Sequence, residues 1–497
     1  HHERHQRCLR LACVARVQHG SIFPDHHELP DIFYAVWFAF LEAGSVRSKN
    51  TTNILIKNLL DVCLGAFAYW GIGYAFAFGS GNEFIGHRHF FFESLDTTML
   101  SHWFFHFVFA ATAATIVSGA MAERTEFGAY MIYSFIITGF IYPVVSHWAW
   151  SEEGWLYVGP GNGITYQDFA GSGVVHMVGG TAALVGAAVL GPRMGRFVDG
   201  KPVDISGHTV PLVALGGFIL MFGFFAFNGG SQASISQPGD GPVVALAIVN
   251  TTLAGSFGAL VALAIRRTGL VMSGSWSLLT TINGALTGMV AICAGCCCVH
   301  PWGACAIGVI AGFTYIFWSW VILKVGIDDP LDAVAVHLGG GLWGVISVPI
   351  LAIDSGIVFR ISDAEAWQAF GWNLAGAGAI AAWSGILSLI LFGLMHCLKI
   401  LRVSRELEIK GLDIPKHGEP AYPVESYGHG WGAMGIALEK HSKMNGIDNP
   451  ACVIDYPPDM EKRKTTAANV ENGNGVVHRD IGVYADFEET ETNDTPL

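Results

Sequence analysis

The sequence predicts an all-α, polytopic membrane protein. Three observations carry this prediction. Only 13% of the 497 residues are charged, against 52% hydrophobic. Apolar runs of spanning length recur along most of the chain. Lysines and arginines gather in alternate loops. A soluble domain carries about 25% charged residues. Half that share leaves too little polar surface to cover a water-soluble body of this size. The 62 glycines suit helices that pack closely in lipid.

Spanning windows fall near 59–79, 99–121, 128–150, 173–191, 210–228, 243–265, 277–299, 302–323, 333–353 and 375–399. A shorter apolar window, 32–43, precedes them. Its ten residues from 32 to 41 make about 15 Å of helix. The hydrocarbon core is roughly 30 Å thick, so this first helix is expected to be truncated or a half-span. The fold class is thus eleven transmembrane helices, the first apparently truncated.

Charge sets the expected topology. Arg47, Lys49, Lys57, Arg124, Arg193, Arg196, Lys201, Arg266, Arg267 and Lys324 are assigned to one set of loops, with only Arg88 and Arg360 in the other. The positive-inside rule places the first set in the cytoplasm. The N-terminus is then extracellular and the C-terminus cytoplasmic. Three regions follow: an N-terminal segment 1–31, a membrane domain 32–400, and a cytoplasmic tail 401–497. The first segment is rich in His and Arg and lacks the ordered regions of a signal peptide. It is expected to be disordered or a misassigned start. Residues 440–497 are polar with little helical periodicity, and are expected to be mobile.

The net charge of −13 owes much to the tail, and no basic footprint for nucleic acid is present. Cys293, Cys296, Cys297, Cys298 and Cys305 lie in and beside an apolar run. They read as small core-filling thiols rather than metal ligands, and no metal or cofactor is expected. Glycine-rich stretches lie inside spans, outside any strand–turn–helix context, and no P-loop is present. An enzyme or ATP-driven pump is therefore disfavoured.

An internal repeat carries the chemistry. Asp168-Phe-Ala-Gly-Ser-Gly-Val-Val-His176 enters the fifth span, and Asp329-Pro-Leu-Asp-Ala-Val-Ala-Val-His337 enters the tenth. Each has Asp at a helix start, His eight residues later, and small residues after it. An offset of five helices reverses membrane orientation, which predicts two inverted five-helix repeats plus one extra helix. Such folds place their pathway where the halves meet, so His176 and His337 are expected to lie together inside the protein. A single core histidine is usually structural. Two at matched depth in the two halves mark an ion or proton path. Asp168 and Asp329 read first as helix N-caps, and so as supports behind the path.

These stretches resemble the ammonium transporter, methylammonium permease and Rhesus glycoprotein family. The likeness runs from about Leu41 to Tyr422. It includes G-A-M-A-E-R at 119–124, F-N-G-G-S at 227–231, D-D-P-L-D-A-V-A-V-H at 328–337 and G-L-D-I-P-K-H-G at 411–418, and is strongest to animal ammonium transporters. The resemblance implies a plasma-membrane homotrimer with one pore per subunit, carrying ammonium or methylammonium. It implies that Phe109, Trp150 and Ser231 form an outer recruitment site. Phe109 and Phe227 would form the gate, and His176 and His337 the twin-histidine pore. Trp150 and Phe109 would hold the cation by cation–π attraction, worth ~2 kcal/mol or more once desolvated. Below them, an apolar pore penalises a bare cation by on the order of tens of kcal/mol. The expected route is therefore electrogenic, with ammonia and a proton crossing separately.

Several positions depart from the family pattern. His106 stands where the family usually has Gln, Phe224 where many members have Trp, and Cys293 where a pore-lining Thr is common. The motif at 411–418 resembles a regulatory C-terminus that couples neighbouring subunits. Pro415 occupies the place of a Thr that is phosphorylated in plant relatives, so that switch is expected to be absent. Two alternatives stay open: an ammonium sensor with little flux, and an electroneutral ammonia gas channel.

Overall fold

The computed structural model describes residues 38–161, 163–271 and 274–423. The segment 1–31, the start of the first apolar window and the polar stretch 440–497 lie outside the described residues. Among the described residues, nine helices are long and apolar enough to cross a membrane. A helix of residues 38–45 (α1) comes first. The long helices are α2 (Ser48–Phe78), α3 (Thr97–Ala120), α4 (127–150), α5 (Ser172–Leu190), α6 (Val210–Gly230), α7 (Asp240–Thr268), α9 (Pro301–Lys324), α10 (Val334–Leu351) and α11 (Ala364–Cys397). Between them, α8 (Leu278–Ile292) is apolar but shorter. The chain is an all-helical, multi-pass membrane protein.

Apolar side chains cover the rim. Phe218 and Phe222 on α6, Phe313 and Phe317 on α9, and Ile386, Leu389 and Ile390 on α11 are exposed. The helical backbone satisfies its own polar groups, so such faces can meet lipid.

Three helices differ from their apolar windows, one of them α11, which begins at Ala364, well before residue 375. α2 begins well before residue 59, and Lys57 lies inside it rather than in a loop. Asn53, Lys57 and Asp61 recur at four-residue spacing on one buried face. Each finds a partner there. Lys57 Nζ donates to the Thr125 carbonyl at 3.2 Å. Asp61 accepts from Ser134 at 2.6 Å and Thr115 at 3.1 Å, and also from the Tyr130 hydroxyl. Next to this face, Asn58 Nδ2 donates to Glu42 at 2.6 Å. Paired in this way, the polar groups do not stop the helix.

The third is α8, which ends at Ile292 although the apolar run continues to 299. Residues past it fold into turns that serve neighbouring segments. Phe169 and Ala170 donate backbone N–H groups to the carbonyls of Ala294 and Cys293, both at 3.0 Å. The buried Asn250 amide on α7 donates to the carbonyls of Cys296 and Val299, both at 2.8 Å.

The helices of the sequence repeat cross at backbone distance. A Cβ placed on Gly180 of α5 would lie 2.3 Å from the Leu338 nitrogen of α10. One placed on Gly341 would lie 2.4 Å from the Ser172 carbonyl. Only glycine permits this approach. Both helices open with a wide π turn, Ser172–Met177 in α5 and Val334–Gly339 in α10. Each of these turns carries one of the repeat's histidines.

Loops at one end of the bundle are tied by ion pairs. The Glu123 carboxylate meets Arg47 at 2.8 Å and Arg193 at 3.1 Å. Asp328 meets Arg193 at 2.8 Å and Arg196 at 3.1 Å. Burial alone would raise the Asp328 carboxyl. The hydrogen bonds and charge of Arg193 outweigh it and hold the group at about 2. After α11, α12 (Arg405–Lys410) and the turn Asp413–His417 lie against the start of α2. There Leu412 N–H donates to Asn50 Oδ1 at 3.0 Å, and Asn53 N–H donates to Asp413 Oδ1 at 2.8 Å.

Candidate functional site

Helical spacing lines up the site's rings. On α3, His102, Phe105, His106 and Phe109 recur at three and four residues and share one face. Phe224, Phe227 and Ser231 repeat the pattern at the end of α6. Trp150 closes α4.

These side chains form a continuous column. Trp150 meets Phe109 edge-on, with centroids 5.9 Å apart. Phe109 stacks on Phe227 at 4.0 Å and 15°. At that separation the two faces are in contact, with no space for a water molecule between them. Phe227 lies 5.6 Å from the His176 ring, and His176 lies 5.2 Å from His337, nearly parallel at 20°. Phe38 of α1 follows, 6.1 Å from His337.

The column runs between two cavities. One, of about 490 Å³, is lined by Trp150, Gln167, Asp168 and Phe169 among others. The other, of about 20 Å³, lies beside His337 and is lined by Phe38, Leu41, Glu42, Asn283 and Leu286 among others.

Within the column, His176 Nδ1 and His337 Nδ1 are 3.1 Å apart. One nitrogen donates and the other accepts. The Cys293 thiol donates to the Met289 carbonyl at 3.1 Å and lies 3.7 Å from His176 Nε2. The Ser231 hydroxyl donates to the Phe227 carbonyl at 2.7 Å, which leaves its oxygen able to accept. The Trp150 indole N–H donates to the Asp168 carbonyl at 2.9 Å and so fixes the ring's tilt.

The two aspartates sit at the starts of the histidine helices. Asp168 accepts the amides of Gly171, Gly173 and Val174 at 3.0, 2.8 and 2.9 Å. Burial nevertheless outweighs these bonds and raises its carboxyl to about 6. Asp329 accepts the Val334 amide at 2.7 Å, while its Oδ1 is buried without a partner among the described residues. Burial, reinforced by the charge of Asp332, raises it to about 7. Both aspartates hold the turns that carry the histidines, and among the described residues neither carboxylate hydrogen-bonds to a ring of the column.

The model of the Ammonium Transporter Family matches residues 32–422. This chain belongs to the ammonium transporter family. It is 49% identical over 421 residues to the "Putative ammonium transporter 1" of Caenorhabditis elegans, covering 80% of this chain and 78% of that one. It is 42% identical to "Ammonium transporter 1 member 3" of Solanum lycopersicum, covering 78% and 89%. Among solved structures, a "Sensor Amt Protein" is similar at 31% identity, with a TM-score of 0.71 and coverage of 84% and 100%. Candida albicans Mep2 is similar at 26% identity, with a TM-score of 0.66 and coverage of 76% and 85%.

The structure brings Trp150, Phe109, Phe227, His176 and His337 of this family member into one column, with Ser231 joined to Phe227 by its hydrogen bond. Two residues at the site escaped the sequence reading. Glu42 lines the cavity beside His337 and accepts from Asn58 at 2.6 Å and Ser118 at 2.7 Å. His102 lies one turn before His106, and its Nδ1 meets the Tyr74 hydroxyl at 3.0 Å. Glu42 is a lone acid inside an apolar window and His102 shares its window with His106, and that was the available signal.

Proposed function

We propose that this chain moves ammonium across a membrane, and that its substrate parts into ammonia and a proton on the way. The observation that carries the reading is the closed Phe109–Phe227 stack directly over the hydrogen-bonded His176–His337 pair. Trp150, Phe109 and Ser231 recruit the hydrated cation. Their π faces and hydroxyl oxygen replace part of its water shell. The stack admits no hydrated ion, and burying the bare cation beneath it costs on the order of tens of kcal/mol. Ammonium therefore yields ammonia and a proton. Ammonia crosses past the rings, the proton passes along the paired imidazoles, and the two recombine at the far side. Potassium has no proton to lose and is rejected.

On this reading the basic loops face the cytoplasm, the 490 Å³ cavity faces outward, and His337 faces the inner mouth. Eleven spans in two inverted halves plus one helix, assembled as a plasma-membrane homotrimer, complete the proposal. A second reading, a sensor with little flux, is favoured by the likeness to the "Sensor Amt Protein".

Reconstitution into proteoliposomes tests these readings together. An inward ammonium gradient should evoke a saturable current with matching ammonium uptake. Uptake without current supports an electroneutral gas channel. Saturable binding without uptake supports the sensor.

A further inference from the structure

His106 is 2% exposed, yet neither of its ring nitrogens has a hydrogen-bond partner among the described residues. A buried imidazole left this way loses its hydration without replacement, so an apolar ring would fit more stably here. Its surroundings are aromatic. Phe78 lies 4.2 Å away by ring centroids, His102 4.3 Å, Phe105 5.2 Å, Trp150 5.7 Å and Phe109 6.3 Å. The last two belong to the recruitment site proposed above. Nearby polar groups are already engaged. His102 Nδ1 meets the Tyr74 hydroxyl, the Trp150 N–H is bound to the Asp168 carbonyl, and the Asp168 carboxylate is bound to helix amides.

We propose that His106 is a substrate-binding residue, its bare ring nitrogen accepting a hydrogen bond from the cation held by Trp150, Phe109 and Ser231. The inference rests on the transport reading. It adds a second polar acceptor to a site whose other polar contact is the Ser231 hydroxyl. An ammonium ion has four N–H donors, and π faces satisfy charge better than they satisfy direction. A neutral imidazole supplies the missing directed acceptor without adding a charge that repels or traps the cation. A singly N-methylated ammonium still has three donors and should use the same nitrogen.

Two substitutions separate acceptance from packing. His106→Phe keeps a flat ring and removes the acceptor. His106→Gln keeps an acceptor and removes the ring. Both are assayed in proteoliposomes for ammonium and methylammonium uptake, with Trp150→Leu alongside. Size-exclusion profiles establish that each variant is folded. The expected result is a KM raised about tenfold or more in His106→Phe, at little changed maximal rate, and a KM within about twofold of wild type in His106→Gln. The proposal is overturned if His106→Phe matches wild type, or if both variants are impaired alike. If the wild type shows no saturable uptake, the transport reading itself fails. If Trp150→Leu raises KM while His106→Phe does not, only the role of His106 is lost. Aggregation of His106→Phe leaves the decision to His106→Gln and to a His106→Leu variant read in the same way.

Discussion

His176 and His337, 161 positions apart in the chain, meet nitrogen to nitrogen at 3.1 Å. A proton on one ring is therefore already hydrogen-bonded to the other. Replacing His337 with Ala leaves His176 Nδ1 without its acceptor or donor and cuts the link. The expected outcome is an ammonium current reduced by about a hundredfold or more, within the range seen when a positioned proton-transfer group is lost. Current and isotope uptake are recorded on the same vesicles. An unaltered charge-to-ammonium ratio at normal rate would remove the relay from the mechanism.

The spacing of these rings depends on Gly180. A methyl group there meets the Leu338 backbone nitrogen, a contact that no rotamer change relieves. Gly180→Ala should destabilise the protein by ~1–3 kcal/mol, seen as a lower Tm in detergent. Gly378 on α11 has nothing within 4 Å of its would-be Cβ. Gly378→Ala should be neutral or raise stability by up to about 1 kcal/mol.

Asp328 makes stability depend on acid. Its carboxyl is held at about 2, below its ordinary 3.8. A depressed carboxylate stabilises the fold at pH values above its ordinary value. That contribution fades as pH falls through the folded value. Thermal melts should therefore lose a component between about pH 4 and pH 2 that Asp328→Asn lacks. The same substitution at neutral pH leaves Arg193, which is 4% exposed in its side chain, with Glu123 at 3.1 Å as its remaining acidic partner among the described residues. A loss of ~1–3 kcal/mol is expected, that of a weakened charged hydrogen bond rather than of a stranded charge.

Tail docking has a separate test. Asp413 accepts the Asn53 amide, and Lys416 meets Glu126 at 2.7 Å. Asp413→Ala removes a buried acceptor, whereas Lys416→Ala removes a partly exposed pair worth about 0–1 kcal/mol. Hydrogen–deuterium exchange across residues 405–418 should accelerate strongly in the first variant and little in the second. Equal exchange in both would assign the docking to other contacts.

How much of this was legible beforehand varies along the chain. Most spans announce themselves, because lipid demands long apolar segments whatever the tertiary contacts. The start of α2 does not. Lys57 and Asn58 look like loop residues until Thr125 and Glu42 are brought to them. The end of α8 was hidden for the opposite reason. Residues 293–299 are apolar enough to continue a helix, but their carbonyls are claimed by Phe169, Ala170 and Asn250. The histidine pair was readable from the repeat, and Asp168 from its capping position. The repeat did not reveal that Asp168 binds three amides where Asp329 binds the Val334 amide through one oxygen and leaves the other without a partner among the described residues. His106 stood out as an unusual residue type. Its unanswered nitrogens emerge only when the surrounding rings are in place.

The glycine contacts between α5 and α10 also bear on how the gene can vary. Any side chain at Gly180 or Gly341 pushes main chain against main chain, with a methyl as damaging in kind as a larger group. A saturation-mutagenesis map should therefore score these codons as intolerant as those of the histidines they space. The exposed apolar positions Phe222 and Leu389, by contrast, should accept most apolar replacements. Selection at those glycines acts on the absence of an atom.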